Sequence, residues 1–108
     1  MKRYITVEQL RGVKIETLSK YFKYKEKQTF LYEHEICRDY FTIGRMIEYL
    51  GDWLESIYIM GNAYRVAIEI PQGTHTLDKG HAWSCYELCD SLWKAVKEKI
   101  ELEYNVSD

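Results

Sequence analysis

Two β-rich runs, Ile57-Tyr58-Ile59-Met60 and Ala63 through Ile70, flank Gly61-Asn62, a dipeptide suited to the positive φ angles of tight hairpins. A two-residue loop sets the register. It pairs Met60 with Ala63, Ile59 with Tyr64, Tyr58 with Arg65 and Ile57 with Val66. One face of the predicted hairpin 57–70 then carries Ile57, Ile59, Tyr64, Val66, Ile68 and Ile70, all apolar. The other face alternates Tyr58, Met60, Ala63, Arg65, Ala67 and Glu69 and is mixed. Register and polarity agree, so the hairpin is expected at the centre of an antiparallel sheet. The competing reading runs the preceding helix through Ile57 to a cap at Gly61.

Helical spacing flanks the hairpin on both sides. Ile43, Met46, Ile47, Leu50, Trp53 and Leu54 share one side of a wheel, with Arg45, Glu48, Asp52 and Glu55 opposite. This predicts an amphipathic helix over about 40–55, capped by Thr42 or Asp39, with Gly51 allowing close approach to the sheet. Pro71-Gln72-Gly73 ends the second strand. A short third strand is expected around His75 and Leu77, then a loop at Asp78-Lys79-Gly80. Ser84-Cys85-Tyr86-Glu87 has capping-box spacing and opens a second amphipathic helix over 85–104. Its expected buried stripe is Cys85, Leu88, Cys89, Leu92, Ala95 and Val96. Lys99 interrupts that stripe, so the last turn is expected to project beyond the core.

The first 36 residues are less regular. Thr6-Val7-Glu8-Gln9 is a capping box for a short helix over Val7–Arg11, stopped by Gly12. Phe22 and Tyr24 alternate with lysines, and Phe30, Tyr32, His34 and Ile36 alternate with Leu31, Glu33 and Glu35. Both patterns have period two and predict a second hairpin. A helix through Ile15, Leu18, Tyr21 and Phe22 is the alternative for the first part. The expected fold is therefore α+β, one domain over 1–108. An antiparallel sheet lies between two amphipathic helices, with a basic strand-rich or mixed segment in front.

Composition narrows the function classes. At 108 residues, with 46% hydrophobic and 30% charged positions, the chain suits one small soluble core. No apolar run approaches the roughly 20 residues of a membrane helix, and no signal-peptide pattern follows Met1, so a cytoplasmic setting is expected. Three cysteines without framework spacing fit a reducing compartment. Net charge −2 divides unevenly. Residues 1–30 hold eight Lys and Arg against three Glu, and residues 31–108 hold seven against fourteen acidic residues. The two parts can attract each other or present two functional faces.

The candidate chemistry is sparse. His81, Cys85 and Cys89 have H-x3-C-x3-C spacing, but both cysteines fall within the apolar stripe, so core packing is expected and no metal or cofactor. No nucleophile motif, phosphate loop or HExxH spacing is present, so no enzyme is expected. Tyr21, Lys23, Tyr24 and Lys25 combine cations with stacking rings, the chemistry of single-stranded nucleic-acid binding, yet the acidic remainder would repel a polyanion. Helix–strands–helix order is similar to that of the double-stranded-RNA-binding domain, whose last helix opens with lysines. Here Ser84-Cys85-Tyr86-Glu87 stands in that place, with no lysine before Lys94.

Ten tyrosines and three tryptophans exceed what so small a core needs, and exposed aromatic residues are common interface anchors. Tyr58 and Arg65, with the acidic residues Glu48, Asp52 and Glu55 and a second acidic face of Glu98, Glu101 and Glu103, make the expected protein-binding surface. It suits a partner with a basic surface. Self-association into a homodimer is also compatible with it.

Glu87-Leu88-Cys89-Asp90-Ser91-Leu92-Trp93-Lys94-Ala95-Val96-Lys97 resembles the closing helix of many small phage and prophage proteins. With the helix and hairpin before it, residues 42–104 resemble their ABA-sandwich type. The resemblance implies a phage or mobile-element setting, hence host cytoplasm. It also implies an inhibitor that occupies a host or defence protein, as anti-CRISPR proteins do. It carries no site residue with it.

Overall fold

The computed structural model describes residues 1–21, 32–71 and 80–104. Among these residues five α-helices and three strands follow in the order α1 (Val7–Leu10), α2 (Ile15–Tyr21), α3 (Glu33–Tyr40), α4 (Ile43–Leu50), β1 (Leu54–Met60), β2 (Ala63–Glu69), β3 (Gly80–Cys85) and α5 (Leu88–Tyr104). The strands form one antiparallel sheet in the order β1-β2-β3, with α5 packed on β2 and β3 and α4 packed on α5. The fold is α+β.

The hairpin forms as its turn chemistry requires. Met60 pairs with Ala63, Ile59 with Tyr64, Tyr58 with Arg65 and Ile57 with Val66. Gly61 takes φ +60°, the left-handed value that a tight turn needs at its first loop position. Toward the start of β1 the ladder shifts, Ser56 pairing with Ala67 and Leu54 with Ile68, so Glu55 forms a bulge. The apolar face is buried where α5 covers it, at Val66, Ile68 and Ile70. Ile59, near the hairpin tip, extends beyond that cover.

The expected helix over 40–55 is divided. Thr42 caps α4 by accepting the backbone N–H of Arg45 at 3.1 Å, so the helix starts at Ile43. It stops at Gly51, whose φ of +49° and ψ of −125° lie where L side chains are strained. A 3-10 turn, Gly51–Trp53, then buries Trp53 and delivers Leu54 into β1. Gly51 therefore serves to turn the chain, and it does not allow close approach: nothing lies within 4 Å of the place its Cβ would occupy. Gly51→Ala is accordingly expected to lower stability by about 1–2 kcal/mol through backbone strain alone, read as a shift in the urea midpoint at unchanged slope.

Of the expected N-terminal hairpin, the second strand gives way to α3 from Glu33 onward. The first strand and the turn, at 22–31, lie outside the described residues. Before them α2 takes the alternative helical reading through Ile15, Leu18 and Tyr21. Thr17, Leu18 and Tyr21 turn inward along α2. Ile36, Cys37, Tyr40 and Phe41 form a helical stripe that outweighs the alternation of Tyr32, His34 and Ile36. Tyr32 donates its backbone N–H to the Glu35 carboxylate at 3.0 Å, which starts α3. The capping box at Thr6 forms as expected. Thr6 Oγ1 accepts from the Gln9 backbone at 3.1 Å and Gln9 Oε1 from the Thr6 backbone at 2.9 Å.

At the other end, α5 begins at Leu88 and not at Cys85. Ser84 and Cys85 belong to β3, where Cys85 pairs with Tyr64, so the Ser84–Glu87 box does not form. Glu87 instead accepts the backbone N–H of Lys2 at 3.0 Å. The strand expected around His75 and Leu77 lies outside the described residues, and the observed third strand follows it. The core extends to Lys99, only 9% exposed, and Ile100, fully buried. In the last turn Leu102 and Tyr104 pack partly against it and Glu103 is exposed.

Candidate protein interface

β1 is an edge strand, and among the described residues no other strand pairs with its outer side. Its last three residues, Tyr58, Ile59 and Met60, are 47%, 66% and 52% exposed. Tyr86, which follows β3, is 80% exposed. It lies at the same end of the sheet, because Cys85 pairs with Tyr64 and Tyr64 with Ile59. Tyr86 stands across the sheet, beyond β3, whereas Tyr58, Ile59 and Met60 put large exposed apolar side chains on the β1 edge itself, a surface that water does not favour.

The acidic residues approach this edge from its other end. Glu48 on α4, Asp52 in the 3-10 turn and Glu55 at the bulge are all exposed. The chain path thus places negative charge at the start of β1 and apolar side chains at its end. Glu55 spoils the regular ladder where it stands, whereas Ser56 to Met60 remain regular. Tyr58 and Arg65 are brought directly opposite each other, on the sheet face away from α5.

The second acidic face is not brought together. Glu98 lies 3.1 Å from His81 Nδ1 on β3. Glu103 turns the other way and accepts the Tyr49 hydroxyl at 2.6 Å. Glu101 stays half-buried on α5. Of the residues suited to nucleic acid, Tyr21 is committed to the interior. It stacks on Phe41 at 5.8 Å and meets Tyr49 and Tyr104 edge-on at 5.1 and 5.8 Å. Lys23, Tyr24 and Lys25 lie outside the described residues.

The cysteines are divided between elements. Cys85 is in a strand and Cys89 in α5, so the helical spacing with His81 does not arise. Burial pushes the Cys89 thiol up to about 11 and raises that of Cys37, which holds both protonated near neutrality. Among the described residues no three His, Cys, Asp or Glu side chains are grouped to hold a metal.

One internal site was not readable from spacing. Lys99 donates its ammonium to the carbonyl of Tyr49, near the end of α4, and lies 4.3 Å from the Tyr49 ring and 5.2 Å from the Trp53 ring. A cation at a helix C-terminus and over aromatic faces is well placed. Burial still lowers its pKa, with Glu103 and Asp52 opposing the shift. Burial also raises the Tyr49 phenol strongly, as does its bond to Glu103. The only sign in the sequence is a lysine inside an apolar stripe.

Comparison of the chain with protein-family models, curated proteins and solved structures found no match. Among the described residues no helix is long and apolar enough to cross a membrane.

Proposed function

We propose that the protein is a non-catalytic binding protein that captures a protein partner along the outer edge of β1. The observation that carries this reading is the run Tyr58-Ile59-Met60, roughly half to two-thirds exposed at the end of an unpaired edge strand. An edge strand offers unused backbone donors and acceptors to a partner strand, and its apolar side chains supply the area that association needs. Glu48, Asp52 and Glu55 add a negative shoulder, which favours a partner with a basic surface and speeds encounter at low salt. That the partner is a host or defence protein, and that occupying it inhibits it, is supported by the phage-type resemblance of residues 42–104.

The test is affinity capture from cell lysate with and without nuclease, repeated with Ile59→Glu and with the double charge reversal Asp52→Lys/Glu55→Lys. A stoichiometric protein is expected to survive nuclease. Its affinity is expected to fall by about a hundredfold with a charge at the hot-spot position 59, and by about tenfold with the charge reversal at low salt. Capture that depends on nucleic acid would redirect the assignment to Lys23, Tyr24 and Lys25. Capture indifferent to both variants would remove β1 from it.

A further inference from the structure

The face of the sheet turned away from α5 differs in character from the β1 edge. Its centre is a row of small side chains running across the three strands, Ser56 opposite Ala67 and Ala67 opposite Ala82. Two charges on β2 stand on either side of that row, Arg65 before Ala67 and Glu69 after it. Neither has a hydrogen-bond or ion-pair partner among the described residues. Tyr58 lies beside Arg65, and backbone-only Gly80 lies beside Glu69.

We propose that this face packs against the same face of a second copy, with Arg65 of each chain meeting Glu69 of the other. The charge pattern selects the geometry. Arg65 and Glu69 are four residues apart, about 14 Å along an extended strand, with Ala67 midway. A twofold axis lying between the sheets, perpendicular to β2 and passing over Ala67, reverses the strand direction. It places Arg65 over the partner's Glu69 and Glu69 over the partner's Arg65. The other face-to-face arrangement, with the axis along β2, stacks arginine on arginine and glutamate on glutamate and is repelled.

Aligned sheets cross at about 30°, which moves a group about 7 Å from the axis sideways by roughly 4 Å, within reach of two long side chains. Ala67 is only 6% exposed, so it is the part-exposed Ser56 and Ala82 on either side of it that meet their own counterparts along the axis, where small side chains let the sheets approach. Such an interface is isologous, so one complementary pair supplies two contacts. The backbone edge of β1 is left open on both copies, whereas Tyr58, opposite Arg65 on the paired face, belongs to both surfaces, so a partner that engages Tyr58 competes with the dimer.

Sedimentation velocity on the full chain tests it. The 13.0 kDa protein is expected to sediment at twice that mass. Arg65→Glu and Glu69→Arg each place like charges face to face twice and are expected to weaken self-association by about a hundredfold or more, giving monomers. Circular dichroism serves as the check that each variant remains folded. Mixing the two variants in equal amounts is expected to restore a dimer of one chain of each. In that dimer the acidic 65 and 69 positions of one variant meet the basic 69 and 65 positions of the other. A monomeric parent protein would overturn the proposal, as would dimers that persist in both single variants. A mixture that stays monomeric would overturn it equally.

Discussion

Ser91→Ala is expected to lower the unfolding free energy by about 2–4 kcal/mol, the largest loss expected here from removing a single atom. Ser91 is fully buried on the first turn of α5. Its Oγ accepts the backbone N–H of Cys85 at 3.0 Å and donates to the carbonyl of Tyr64 at 2.7 Å. The two groups belong to a paired position of β2 and β3, so one hydroxyl closes the end of the sheet onto the helix. Alanine removes the bridge and leaves a donor and an acceptor without it, each costing about 1–3 kcal/mol where water cannot reach. Urea unfolding of Ser91→Ala beside Ser84→Ala checks this, since Ser84 is exposed on β3 and its loss should stay within about 0.5 kcal/mol. Equal effects of the two changes would show that the bridge contributes nothing.

The second large effect is expected at Lys99. Lys99→Ala removes the bond to Tyr49, the contact with two aromatic faces and the packing of the stem, a combined loss of about 2–3 kcal/mol. Lys99→Met keeps the stem and removes only the charge, and should remain within about 1 kcal/mol of the parent at neutral pH. The pH dependence separates the two contributions. The folded pKa of Lys99 is depressed below its ordinary 10.5, so the folded state releases this proton before the unfolded state does. Stability therefore rises with pH from the lowered folded value up to 10.5, and the burial penalty is present in full only below that window. The stability difference between the parent and Lys99→Met should accordingly move in the parent's favour as pH rises through it. Tyr49 acts in the opposite direction. Its raised folded value makes a contribution that is complete below 10 and is lost above it. Both proteins retain Tyr49, so the difference isolates the lysine.

The parts of this fold legible in the sequence are those determined by local chemistry. Gly61 and the alternation on either side of it fix which residues face each other in the hairpin, and four pairs follow from a two-residue loop. Thr6 and Gln9 mark α1 for the same reason: both partners of the cap lie within one turn. Elements whose limits depend on distant residues were not legible. Trp53 and Leu54 continue the spacing of α4, yet pairing of Leu54 with Ile68 draws the chain into a strand, and Gly51 provides the turn. Cys85 fits the stripe of α5 but is held in β3 by Tyr64 and Ser91. In the N-terminal part, Tyr32, His34 and Ile36 alternate like a strand, and burial of Cys37 and Phe41 decides for a helix.

The candidate site divides in the same way. Tyr58 and Arg65 were correctly placed opposite each other, because the register alone determines that. The exposure of Ile59 was not legible, since it depends on how far α5 extends over the sheet. Glu98 and Glu103 were expected on one acidic face. Their separation comes from His81 and Tyr49, which reach α5 from different elements.

The most direct measurement of the central claim is hydrogen–deuterium exchange of the protein alone and saturated with its captured partner. Binding along β1 predicts that added protection concentrates in peptides covering Leu54 to Met60. The peptides of α1 to α3 should exchange at their free rates. Protection confined to α1–α3, with 54–60 exchanging as in the free protein, would contradict the account.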